Sequence, residues 1–359
     1  MTTAGVKNSP PERAYLFGSH RKGSADIEHN TARHRGNGSG PDDQSGLISL
    51  TGCTPDGKPL AYSRAPSPDI APWVHSLAVA DIIAHKGSGQ SCAFFLENAA
   101  IRLLLKGKWR LETADGVRTY DADKRSHTLY FGPQTRIMPL SVEGHFTFIQ
   151  MQFHPGGHGS HSHLAAPATL DRIVEFDKNV PRSNRGKFFR PDESRDLWLD
   201  AFEGVARKVL AALADGQPSS LVLDFERRLL TDHELELDAF AAEHDISRRT
   251  LERTVHMAFG ISPAAVLRRA RVLDMAAALL GVAMPDEEAD FRMRFFDQAH
   301  MTREIRKYFG MSPGMLAGCE AYLLRIDLEI RQMRRVAAMQ ELGIDEVPWR
   351  SAGGLTYDI

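Results

Sequence analysis

The chain has only three cysteines, Cys53, Cys92 and Cys319, and no two stand in a Cys-x-x-Cys pair. An odd, widely spaced set supplies neither a disulfide framework nor a zinc knuckle, and its default setting is a reducing cytosol. No apolar run approaches the roughly 18 residues of a membrane span. The opening MTTAGVKNSPPERAY lacks the apolar core of a signal peptide, so the expectation is a cytoplasmic protein with no membrane partner. Charge of one sign is also missing: Lys+Arg 44 against Asp+Glu 46 gives a formal net charge of -2, which excludes a generic polycation. The sequence has no Gly-x-Ser-x-Gly elbow, no phosphate loop and no carboxylate pair in an apolar setting. A protein that is not an enzyme and carries no cofactor is therefore expected.

What is present is enough apolar residue, 42% over 359 residues, to build two or three cores. Residues 1–46 are rich in Gly, Ser, Asn, Pro and charge and read as a disordered leader. From 47 to 170 the texture changes to short apolar or alternating runs, SCAFFLENA, IRLLLKGKWRLET and HFTFIQMQFHPGG among them, separated by turns. These read as strands of a small barrel or sandwich, with Asp115-Gly116 as the hairpin signal between WRLET and VRTY. Residues 171–230 read as a linker and bridging helices, with Leu197, Phe202, Val205, Val209 and Leu213 near helical spacing.

The most informative stretch lies between Leu237 and Pro313, where the sequence repeats itself at an offset of about 50 residues. SRRTLERTVHMAFGISP and DQAHMTREIRKYFGMSP align in one register, Ser247 on Asp297, Leu251 on Met301, Arg253 on Arg303, Phe259 on Phe309 and Gly260 on Gly310. Each copy has a Ser or Asp to cap a helix, apolar residues four and eight positions on, a Gly suited to a left-handed end, and a Ser-Pro that opens the next helix. The polar face holds Arg248, Arg249, Glu252 and Arg253 in the first copy, and Gln298, Ala299, Thr302 and Arg303 in the second. Arg can fork onto guanine and Gln onto adenine, while amides at a helix start can face a phosphate. Solvated charges on two amphipathic hairpins would be the plain alternative, and the shared register argues against it.

This stretch resembles the DNA-binding half of the AraC/XylS family of transcription regulators, in which one long helix joins two helix-turn-helix units. FFDQAHMTREIRKYFGMSP is close to that family's signature, and the resemblance covers Thr231 to Leu316. Where the family usually has a turn glycine, this chain has Asp245 and Arg294, and Asp290 stands in place of a small residue. The stretch 47–170, with YSRAPSPDIAPWV, LYFGPQT and FHPGG in order, more weakly resembles the cupin-like sensory halves of some of these regulators. The resemblance implies an α+β chain: a cupin-like β-barrel, a helical bridge, and an all-α domain at 231–316. Its implied partners are double-stranded promoter DNA, RNA polymerase, a small-molecule effector and a second copy of the chain.

The expected DNA contacts are Arg248, Arg249, Arg253, Gln298, Ala299, Thr302 and Arg303, with Ser247 and Asp297 capping the two helices. In the joining helix, Val266, Ala270, Leu273, Ala277 and Leu280 form the apolar face, and Arg268, Arg269 and Arg271 are expected to point elsewhere. His145, His154, His158, His161 and His163 cluster in a Gly-Ser-His tract expected to be exposed and metal-free; a metal there would take His158, His161 and His163. The competing hypothesis is a metal-dependent cupin-type enzyme whose DNA-binding half controls its own operon. In the helix expected at 317–342, ahead of the tail 343–359, Cys319, Leu323, Ile326, Ile330, Met333 and Ala337 step as a heptad seam. Leu324 and Leu328 widen it, which favours packing on the protein's own body, with dimerisation as runner-up.

Overall fold

The computed structural model describes residues 47–48, 61–82, 90–157, 163–176, 193–213, 216–232, 234–283, 287–319 and 321–344. The leader 1–46, Cys53, His158, His161, the side chains of Cys92 and Asp290, and all but the first residues of the tail lie outside them.

Nine strands come first: β1 (Leu47–Ile48), β2 (Ala61–Arg64), β3 (Val74–Ile82), β4 (Gln90–Phe94), β5 (Ala100–Thr113), β6 (Gly116–Asp121), β7 (His127–Phe131), β8 (Met138–Phe153) and β9 (Ile173–Glu175), with the short helix α1 (Ala166–Thr169) before the last. The half expected to be cupin-like is one antiparallel sheet in the order β1-β2-β3-β8-β5-β7-β9, with β4 also on β8 and β6 also on β5. Among the described residues no pairing joins β1 to β9. The long strands β5 and β8 run through the whole sheet, and their pairing slips between Leu104 and Lys108, where Gly107 has φ +92°. A Cβ at Gly107 would meet the Phe146 Cβ at 2.8 Å, so the bulge needs glycine for space as well as for conformation. The expected hairpin is there, shifted by one residue. Thr113 pairs with Gly116, the loop is Ala114 and Asp115, and Gly116 takes the positive φ of +100°.

Both faces of the sheet are covered, which is why β8 is buried continuously from Phe146 to Phe153 instead of alternating. One face carries Ile101, Leu103, Ile149 and Met151 and packs on the helix α2 (Arg195–Leu213) through Trp198, Leu199 and Phe202. Of the stripe the spacing predicted, Phe202, Val205 and Val209 join this core, whereas Leu197 is 55% exposed and the neighbouring Trp198 is buried instead. Arg64 donates to Asp200 at 2.7 Å and to Glu203 at 2.9 Å, tying α2 to β2. The opposite face carries Leu104, Trp109, Phe146 and Phe148 and packs on the last helix, α10 (Tyr322–Glu341), through Leu323, Ile326 and Ile330. Cys319 and Met333 are partly buried and Ala337 is exposed, but the middle of the heptad stripe is thus inside the protein's own core. Burying each such side chain contributes roughly 1.5–3 kcal/mol.

Between these lie α3 (Ser220–Thr231), α4 (Leu237–Glu243), α5 (Arg248–Phe259), α6 (Pro263–Leu279), α7 (Glu287–Met293), α8 (Gln298–Phe309) and α9 (Pro313–Ala317). Val222, Phe225 and Leu229 of α3 pack with Phe240, Leu251, Val255 and Phe259, so the core of the first unit begins ahead of Thr231. In α6 the expected face, Val266, Ala270, Leu273 and Ala277, is buried. Arg269 departs from expectation: it is 1% exposed and donates to the Gln134 carbonyl at 3.1 Å, a partner in the loop between β7 and β8. Residues 44–359 form one compact unit in which sheet and helices share cores.

Candidate nucleic-acid interface

Four local signals set the frame of the repeat. Ser247 Oγ accepts from the Thr250 amide at 3.1 Å, and Asp297 Oδ1 accepts from the His300 amide at 2.6 Å, so both predicted caps are made. Gly260 and Gly310 end the two helices in the left-handed region at φ +79° and +72°. Ser262 and Ser312 then cap α6 and α9 ahead of Pro263 and Pro313. The turns differ. Asp245 has φ +51°, as a turn glycine would, whereas Arg294 is not at positive φ. Since α4 and α7 stand 50 residues apart, the counterpart of Asp245 is Phe295, which is buried, and the counterpart of Arg294 is His244. Arg294 is structural: its guanidinium donates to Asp274 at 2.6 Å and lies 4.3 Å from the Phe291 ring.

The inner faces of α5 and α8 match across the repeat, Leu251, Val255 and Phe259 in one, Met301, Ile305 and Phe309 in the other. On the outer face of α5, Arg249 and Arg253 are exposed and make no ion pair among the described residues. Arg248 is half-buried and already donates to Asp238 at 2.9 Å and to Glu252 at 3.3 Å. Such surface pairs are worth only about 0–1 kcal/mol, so DNA phosphate can displace them. On α8, Gln298, Ala299 and Arg303 are exposed, and Gln298 and Thr302 line a recess with Arg292 and Ser312. Three of the acidic residues that precede these helices are internally neutralised: Glu243 by Arg228, Glu287 by Arg335, Glu288 by Arg292.

Two apolar side chains escaped the sequence reading. Phe296, two residues ahead of α8, is 92% exposed, and Met293, the last residue of α7, is 84% exposed. Phe295-Phe296 reads as core from sequence, but only Phe295 turns inward; an exposed ring beside a polar reading face suits a thymine methyl. Arg306 and Lys307 extend the exposed cationic face of α8 and were also missed.

The C-terminal ends of both helices rest on the sheet half. The Ile137 amide donates to the Tyr308 carbonyl of α8 at 2.8 Å, and Phe95 stacks against Tyr308 and Phe309. At the end of α5, a Cβ at Gly260 would sit 3.0 Å from the Ala166 carbonyl of α1, so glycine allows the close approach. From the other side α10 adds buried charge: Arg331 donates to Asp274 and Arg335 to Glu287, each at 2.6 Å, while Asp327 faces Arg102 at 3.4 Å.

Of the histidine tract, His158 and His161 lie outside the described residues, and the described members have separate partners or surroundings. His145 pairs with Asp81 at 2.7 Å and His154 with Glu226 at 2.6 Å, carboxylates far away in sequence, and His163 is exposed. Burial alone would raise the Glu226 carboxyl, but Arg334 and His154 outweigh it and hold it below the usual range. Among the described residues the one trio whose ligand atoms lie within 4.8 Å of one another is Asp224, Glu243 and His244, and Arg227 and Arg228 already hold its carboxylates.

Residues 240–317 match the family model described as a helix-turn-helix domain. This region is an AraC-type helix-turn-helix domain. No curated protein matches the chain. Among solved structures, the chain is similar to ToxT from Vibrio cholerae, at 8% identity and a TM-score of 0.45, over 67% of this chain and 97% of that one. It is also similar to the C-terminal domain of AraT, a response regulator from Geobacillus stearothermophilus, at 23% identity and a TM-score of 0.25, over 28% and 87%. A third is the AraC-like transcriptional activator CuxR, at 14% identity and a TM-score of 0.23, over 61% and 88%. The helix-turn-helix domain makes the chain a DNA-binding transcription regulator, and no helix among the described residues is long and apolar enough to cross a membrane.

Proposed function

We propose that α5 and α8 read a two-part site in duplex promoter DNA, and that the sheet half sets their relative position in response to a small molecule. The observation that carries this is the double docking of the helix ends on the sheet half, at Gly260 and at Tyr308, while Arg249, Arg253, Gln298 and Arg303 stay exposed on the same two helices. Arg249, Arg253 and Arg303 supply phosphate and guanine contacts, Gln298 an adenine contact, and Arg248 joins them by exchanging its surface partners. Thr302 and Ala299 fill the groove beside Gln298, and the helix starts capped by Ser247 and Asp297 face phosphates. RNA polymerase is the partner through which such binding would act on transcription.

Selection from random duplexes with the full chain tests this. The expected product is one motif with two informative segments about one helical turn, roughly 10 base pairs, apart. Enrichment of no motif, or of a single segment, contradicts it.

A further inference from the structure

A cavity of about 680 Å³ opens where the sheet half, α3, the end of α4 and α10 meet. That volume falls within the usual range for small-molecule sites. Its walls are largely apolar, with Pro72 and Val74 from the sheet side, Leu223 and Leu230 from α3, and Ala337 and Ala338 from α10. The charges around it cancel in pairs except for the exposed Glu341, whose carboxylate disfavours an anion. Arg227 is bound to Asp224, Arg334 to Glu226, and His154 Nδ1 to the second Glu226 oxygen at 2.6 Å. An ionic ligand would find no unmatched counter-charge among these groups and would lose its hydration on entry.

Two lining residues carry a buried nitrogen without a hydrogen-bond partner, Arg227 at Nε, on a guanidinium already bound to Asp224, and His75. His75 is 9% exposed, and its Nδ1 has no hydrogen-bond partner. Burial, with Arg334 and His154 beside it, holds this imidazole well below its usual range, so at neutral pH it is uncharged and offers one donor and one acceptor nitrogen. A buried ring nitrogen without a partner favours any occupant that supplies one.

We infer that this cavity is the effector site, and that it takes an uncharged, mainly apolar molecule carrying one hydroxyl or carbonyl oxygen against His75. This rests on the regulator reading above. An occupant would touch three elements at once: α3, His244 in the turn of the first helix-turn-helix unit, and α10 beside Arg334. On the same helix Arg331 holds Asp274 of the joining helix α6 and Arg335 holds Glu287 at the start of the second unit, so one molecule reaches both units.

The test uses the full chain without DNA, so its outcome is independent of whether α5 and α8 read DNA. 4-Propylphenol, uncharged at pH 7, is titrated against the protein and compared with 4-propylbenzoate, which has the same apolar body and a charge. Saturable binding of the phenol is expected, with a dose-dependent rise in Tm and a shift of the His75 ring resonance. Replacing Leu223 by Trp, or the exposed Ala337 by Phe, should block it, and His75→Phe should weaken it about tenfold. The benzoate should bind about tenfold more weakly than the phenol. No saturable phenol binding, binding indifferent to both cavity-filling variants, or tighter binding of the benzoate overturns the proposal.

Discussion

Arg249 and Gln298 stand on the outer faces of their helices, where a side chain can be removed without disturbing a core. Their replacement by Ala should each cost about 1–3 kcal/mol on the selected site and relax base preference at one position. Titration of wild-type and variant proteins on cognate and single-base-changed duplexes decides it; equal losses on every sequence would make these residues phosphate anchors only. Arg294 gives the opposite kind of prediction. Because its guanidinium is hydrogen-bonded to Asp274 and stacked on Phe291, and its backbone is not left-handed, Arg294→Gly removes contacts and relieves nothing. Tm should fall, by an amount equivalent to about 1–3 kcal/mol; a rise would mean a strained turn. At this scale the sequence was legible wherever the partner is local. Ser247, Asp297 and the two left-handed glycines act within four residues of themselves. Arg269 was misread because its acceptor lies 135 residues away in the loop between β7 and β8, and nothing in its own helix marks it as buried.

Among the elements, α10 shows the same limit most plainly. Its apolar stripe was readable and so was its burial on the body, yet the face between carries buried Asp327, Glu329, Arg331, Gln332 and Arg335, which on sequence alone read as a solvated face. They are buried because β4, α3 and α6 surround the helix and supply the opposite charges. Burial pushes the Asp327 carboxyl up to about 7, with Arg102 and the Phe95 amide only partly opposing. In the unfolded chain the same group titrates near 3.9. Between those values the folded protein keeps a proton that the unfolded chain has released, so stability falls as pH rises through about 4 to 7. Asp327→Asn removes this slope while keeping an acceptor for the Phe95 amide. Melting at a series of pH values should show the variant losing less stability than wild type between pH 5 and 8; parallel profiles would place the Asp327 proton elsewhere.

At the level of the whole molecule, the sheet half and the helix-turn-helix domain are not beads on a linker. They share a hub helix, a backbone hydrogen bond from Ile137 to Tyr308, and the close approach at Gly260. The repeat told the sequence reader that there are two similar units, but not that a third body holds both by their far ends, since that contact uses backbone groups of α1 and of the loop before β8. On the proposed reading, two helices held this way meet DNA at one fixed separation. The most direct measurement is therefore the affinity of the full chain for its selected duplex and for the same duplex with roughly 5 base pairs, half a helical turn, inserted between the two contacted segments. A rigid pair cannot follow its second segment to the opposite side of the helix, and binding should weaken by on the order of a hundredfold or more, toward the non-specific level. Affinity unchanged within about twofold would contradict the account, because it would mean that the two helices read independently.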